Sequence, residues 1–90
     1  MGQTTEKLRM KLQTAFEPQW LEIVDDSARH SGHHHAPSGG ESHFNVTIVS
    51  LVFAGLSRVE RQRRIYAVLA EELAGPVHAL SLKALAPGEG

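Results

Sequence analysis

The sequence predicts an α+β domain with the order α-β-β-α-β: a three-stranded mixed sheet with helices on one face. Three observations carry this. Two segments repeat apolar residues at helical spacing, three short segments alternate at strand spacing, and one helix lies between the last two strands. That helix is long enough to carry a parallel crossover, while the first two strands are most simply antiparallel.

The first helix is predicted from Thr5 to Phe16. Leu8, Leu12, Ala15 and Phe16 fall on one face, with Lys7, Arg9 and Lys11 among the polar positions. Thr4 or Thr5 serves as the cap, and Pro18 stops the helix. Trp20–Asp25 is a short strand of mixed alternation. A 17-residue connector, Asp26–Ser42, follows. It holds Gly32, Gly39, Gly40, Pro37 and four of the six histidines: His30, His33, His34 and His35. Connectors this long are uncommon in compact domains and are often functional.

His43–Phe53 is the clearest strand: Phe44, Val46 and Ile48 share one face, and Asn45, Thr47 and Val49 the other. After a turn, Ser57-Arg58-Val59-Glu60 matches a capping box. The helix it opens is predicted to reach about Ala74, with Val59, Tyr66, Leu69 and Leu73 as its apolar face, supported by Ile65 and Ala70. Gly75 stands where a left-handed residue ends a helix, and Pro76 follows. Val77–Leu85 is the third strand, with His78, Leu80, Leu82 and Ala84 pointing one way. Residues from about 86 to 90 read as a frayed tail.

The chain has 90 residues, which makes one domain, and 41% are hydrophobic. Its net charge of −1 gives no overall pull toward nucleic acid or an anionic membrane. There is no cysteine, which excludes disulfides, thiolate metal sites and cysteine nucleophiles. The start, MGQTTEKLRMKLQ, has no apolar signal core, and no apolar run is long enough to span a bilayer. No serine nucleophile motif appears, and Asp25 and Asp26 have no evident oxyanion partner, so the chain is not expected to be an enzyme.

Imidazole is the commonest protein metal ligand, so the histidines are the first chemical signal. His33, His34 and His35 cannot easily face one ion, because neighbouring side chains of an extended chain diverge. His30 with His33, or His30 with His34, act together if the loop turns. His78 opens the last strand. His43 opens the second, where a hydrogen bond fixing the loop end is the expected role. A second signal is the basic set Arg58, Arg61, Arg63 and Arg64, of which 58, 61 and 64 nearly align on a helix. Phosphate contact, docking on an acidic patch and a plain solvated face are all open readings.

The ordered stretches Leu21-Glu22-Ile23-Val24-Asp25-Asp26-Ser27, Glu41-Ser42-His43-Phe44-Asn45-Val46, Ile48-Val49-Ser50, Phe53-Ala54-Gly55, Ala70-Glu71-Glu72-Leu73 and Val77-His78-Ala79-Leu80-Ser81-Leu82-Lys83-Ala84 resemble the BolA family. The resemblance covers about residues 4–87 and implies a fold like a type II KH domain. It implies a monothiol glutaredoxin, with glutathione, as partner, and a [2Fe-2S] cluster bridged between the two for cluster delivery or iron regulation. His78 matches the family's ligand at the last strand. The second ligand comes from the loop: counting from Asp25-Asp26-Ser27 favours His30 or His33, and counting back from Pro37 favours His34. His33 ranks first.

The resemblance further implies that no cluster is held tightly by the isolated chain, which would be a monomer alone and a heterodimer with its partner. DNA is the alternative partner, since some BolA-like proteins are described as transcriptional regulators. Where many members carry Arg-His-Arg, this chain has Arg61-Gln62-Arg63. It has no GxxG loop, which disfavours single-stranded RNA. A bacterial cytoplasm is the expected location; a mitochondrial or plastid relative trimmed of its transit peptide would read alike.

Overall fold

The computed structural model describes residues 2–25 and 42–89. Helix α1 (Gln3–Phe16) leads to strand β1 (Trp20–Asp25). Strand β2 (His43–Val49) runs into a 3₁₀ turn (Leu51–Phe53). Helices α2 (Arg58–Val68) and α3 (Ala70–Ala74) precede strand β3 (Ala79–Leu85). The sheet order is β1-β2-β3, with β2 antiparallel to β1 and parallel to β3. The α+β class and the mixed sheet are as the sequence predicts.

Helix α1 buries Thr5, Leu8, Leu12 and Phe16, one residue per turn of its inner face. It begins two residues earlier than expected, and Gly2 takes the cap position without a side-chain bond. The threonines therefore do not cap it; Thr5 is packed inside the first turn. Glu17, at φ 43°, closes the helix through its N–H to the Gln13 carbonyl, just before Pro18.

Strand β2 supplies the centre of the core. Phe44, Val46 and Ile48 are buried toward the helices, flanked by Leu21 and Ile23 of β1 and Leu80, Leu82 and Ala84 of β3. It stops at Val49 rather than Phe53. The reason is Ser50, whose buried hydroxyl donates to the Phe16 carbonyl and accepts from the Val52 N–H. That bond pattern bends the chain into the 3₁₀ turn and swings Phe53 into the core. There its ring meets Phe16 at a centroid distance of 5.1 Å and a tilt of 39°.

Ser57 caps α2 as the capping box requires, its hydroxyl accepting the Glu60 N–H at 3.1 Å. The predicted single helix is bent at Leu69 (φ −101°, ψ 19°), although hydrogen bonds run on through the bend from Leu69 to Ile65 and from Leu73 to Leu69. Its buried face also differs from the expected one. Arg61, Ile65, Leu69 and Glu72 face inward, while Val59 and Tyr66 are exposed. A polar pair thus occupies turns that the apolar pattern alone would not assign. Gly75 has φ −114° rather than a left-handed value; its constraint is space, because a Cβ there would stand 3.3 Å from the Glu71 carbonyl.

Strand β3 begins at Ala79, two residues later than predicted. Val77 is buried and donates to the Glu72 carbonyl, so it belongs to the approach rather than to the ladder. The tail is not frayed through Glu89. Ala86 is buried and accepts from the Glu89 N–H, and Gly88 turns the chain at φ 88°.

Phe53→Ala removes a fully buried ring from a small core, and is expected to cost about 3–5 kcal/mol. A urea unfolding curve checks this: the midpoint should fall by about a third or more of its wild-type value, given the ~5–10 kcal/mol typical of such domains.

Candidate functional site

The end of the sheet that carries His78 is built by three chain segments. Pairing sets Asp25 opposite Phe44 and His43 opposite Ala79, so β1 ends where β2 and β3 begin. Ser42 is the hinge of this end. Its carbonyl accepts both the His78 N–H, at 2.7 Å, and the Ala79 N–H, at 3.1 Å. Its hydroxyl lies 2.8 Å from Nδ1 of His43. The expected role of His43, a hydrogen bond at the loop end, is the one observed.

His78 is exposed, not half-buried as a place on the face of Leu80 and Leu82 would suggest. Its backbone is nevertheless fixed on both sides. Val77 before it is 2% exposed, and the Ser42 carbonyl binds it and the residue after it. Behind Val77, Glu72 is bound by Lys11 of α1 at 2.8 Å, and Lys11 also binds Glu71 at 2.9 Å. These two carboxylates hold the Lys11 ammonium above its usual pKa, the Glu72 hydrogen bond contributing most. The side chain of His78 is therefore an accessible imidazole on a rigid mount. His30, His33 and His34 lie outside the described residues. Among the described residues no three His, Cys, Asp or Glu side chains gather as a metal site.

The four arginines separate. Arg58, Arg63 and Arg64 are exposed, and Arg63 pairs with Glu60 at 3.3 Å on the surface. Arg58 lines a groove of about 440 Å³ with Gln62 and with Leu82, Lys83, Ala84 and Leu85 of β3. Arg61 turns inward. Its Nε donates to the Leu56 carbonyl at 3.0 Å, and Nη1 donates to the Ala84 carbonyl at 2.9 Å. Nη1 and Nη2 hold both oxygens of Glu89, at 2.6 and 2.8 Å. A spacing argument aligned Arg61 with Arg58 and Arg64 but had no view of its anion, which lies 28 residues on in a tail of weak pattern. Lys83 of the groove and Ser42 were also not singled out. The first is one cation in an alternating strand, and the second acts through a backbone carbonyl.

A family model described as BolA-like protein matches residues 12–89. The chain belongs to the BolA family. It is 46% identical over 89 residues to BolA-like protein 1 of Pongo abelii, covering 99% of this chain and 62% of that protein. It is 49% identical over 77 residues to the DNA-binding transcriptional regulator BolA of Escherichia coli, covering 86% and 70%. Its fold superposes on BolA1 from Arabidopsis thaliana with a TM-score of 0.85 at 38% identity, over 100% of this chain and 99% of that one. This BolA-like chain thus spans about three-fifths of the animal relative and nearly the whole of the plant structure. No helix among the described residues is long and apolar enough to cross a membrane.

The Arg61–Glu89 clasp has a pH signature. The guanidinium, aided by the Ala86 N–H, holds the Glu89 carboxyl down to about 2 from an ordinary 4.5. A depressed carboxyl stabilises the fold above its unfolded value, and that contribution is lost as pH falls from 4.5 toward 2. Glu89→Gln is expected to lower stability at pH 7 and to flatten the decline between those values. Urea midpoints measured across the range for both proteins check it.

Proposed function

We propose that this chain is a non-enzymatic adaptor that pairs with a monothiol glutaredoxin and supplies imidazole ligands to a [2Fe-2S] cluster shared between them, for cluster delivery or iron regulation. The observation that carries the reading is the mount of His78. His78 is exposed while its backbone N–H is bound to the Ser42 carbonyl, and Ser42 follows in sequence the segment that bears His30, His33 and His34.

The donor chemistry fits a shared cluster. Imidazole is a good ligand for iron, and in Rieske-type centres two imidazoles replace two thiolates on one iron. The chain contributes no thiolate, having no cysteine, so sulfur ligands must come from the glutaredoxin cysteine and its glutathione. His78 would be one ligand and His33, His30 or His34 the other. When bound, such a cluster supplies a labile, acid-sensitive iron–sulfur unit, because protonated imidazole cannot ligate. The chain's own part is to hold the His78 backbone still.

A second reading has one specific support. The bacterial relative is named a DNA-binding transcriptional regulator, and Arg58, Arg63, Arg64 and Lys83 are exposed cations. In this reading Arg58, Arg63 and Arg64 touch phosphate, whereas Arg61 stays committed to Glu89. The net charge of −1 argues for weak binding that falls steeply with salt.

Anaerobic cluster reconstitution with a monothiol glutaredoxin and glutathione, followed by visible circular dichroism, tests the first reading. The heterodimer is expected to give a spectrum distinct from the glutaredoxin alone. His78→Ala should abolish it, as should one of His30→Ala, His33→Ala and His34→Ala. A spectrum unchanged by all four variants overturns the ligand assignment.

A further inference from the structure

Both helical layers lie on one side of the sheet, and no described element covers the other side. Strand pairing sorts the residues of that open side into rows. Trp20, Val49 and Leu85 form one row; Glu22, Thr47 and Lys83 the next; Val24, Asn45 and Ser81 the third. Trp20 is 57% exposed and Val24 44%. Glu22 and Lys83 are also exposed. They sit on the two outer strands, on either side of Thr47. At ~4.8 Å per strand their backbones are roughly 10 Å apart, and the two side chains make no ion pair with each other.

We propose that this open face docks onto the same face of a second copy, as an isologous sheet-on-sheet dimer whose two-fold axis runs along β2. The rows are self-complementary under that operation. Rotation about β2 exchanges the outer strands, so Glu22 of one copy lies over Lys83 of the other, and the reverse pairing forms by symmetry. The same rotation sets Trp20 over Leu85 and Val49 over Val49, which gives the contact an apolar row. A two-fold axis running across the strands lacks this match. It keeps β1 over β1 and never brings Glu22 to Lys83.

The size of the face sets the strength. Three strands of about six residues give a footprint of roughly 15 × 20 Å, about 300 Å² per copy, well under the ~800 Å² per partner of a stable interface. The dimer is accordingly a weak, concentration-dependent one. A chain expected to be a monomer alone thus gains a second, concentration-dependent state. This state stands apart from the cluster proposal, since the rows that carry it do not include His78.

Trp20 is the sole tryptophan and lies on the face, so it reports directly. The experiment combines its emission spectrum with sedimentation equilibrium of the full chain from about 1 µM to 1 mM. Expected are a shift of the emission to shorter wavelength and a doubling of mass over the same range. Lys83→Glu and Glu22→Lys should each weaken association on the order of ten-fold, because each contact occurs twice. The double variant Glu22→Lys/Lys83→Glu should restore it to within about two-fold. Far-ultraviolet circular dichroism confirms that these surface variants remain folded. A mass that stays monomeric at 1 mM overturns the proposal. So does a dimer indifferent to both reversals, which would use another face. Emission already shifted at every concentration would mean that the chain's own segment covers the face. Emission that responds only to added glutaredoxin would give the face to that partner.

Discussion

The placement of β2 between two strands of opposite direction is the constraint on which the structure depends. Its inner side chains, Phe44, Val46 and Ile48, are the floor on which both helical layers sit. Its two edges then fix everything lateral. The antiparallel edge brings the end of β1 beside His43, and the parallel edge brings the start of β3 to the same place. A slip of one residue on either edge would turn the core faces outward. A slip on the β3 edge would also move His78 away from the Ser42 carbonyl. Core and site therefore share one register.

Much of this was legible in the sequence, where side-chain pattern and backbone geometry agree. β1 lies at its predicted residues, the buried alternation of β2 is the predicted one, and Ser57 caps α2 as its motif requires. What escaped prediction depends on partners distant in the chain. Ser50 ends β2 because it reaches the Phe16 carbonyl, 34 residues away. Arg61 enters the core because Glu89 neutralises it there, and the inner face shared by α2 and α3 cannot be read from apolar periodicity when Arg61 and Glu72 belong to it. The helix start was misread for a local reason: two threonines offered caps, but packing claimed Thr5.

The site was legible to a different degree. His78 and His43 could be placed at strand starts; the structure puts His43 first in β2 and His78 one residue before β3. The exposure of His78 was not foreseeable from its strand parity, because the residue lies just before the ladder, where alternation no longer dictates exposure. The arginine set shows the converse error. Helical spacing gives angular position but not depth, and Arg61 is separated from its neighbours by depth alone.

The parallel pairing of β2 has a consequence for how the chain is made. β2 ends at Val49, but its second partner starts only at Ala79, and the anion for Arg61 comes at Glu89. At a synthesis rate of about 5–20 residues per second, the free edge of β2 waits roughly 2–6 s for β3 to be synthesised, and longer for it to clear the ribosome. Through that interval the nascent domain carries an unpaired apolar strand, and Arg61 lacks its carboxylate partner. Closure therefore waits until β3 is free to pair, and the waiting period is the one in which a chaperone or a neighbouring nascent chain has access to the domain.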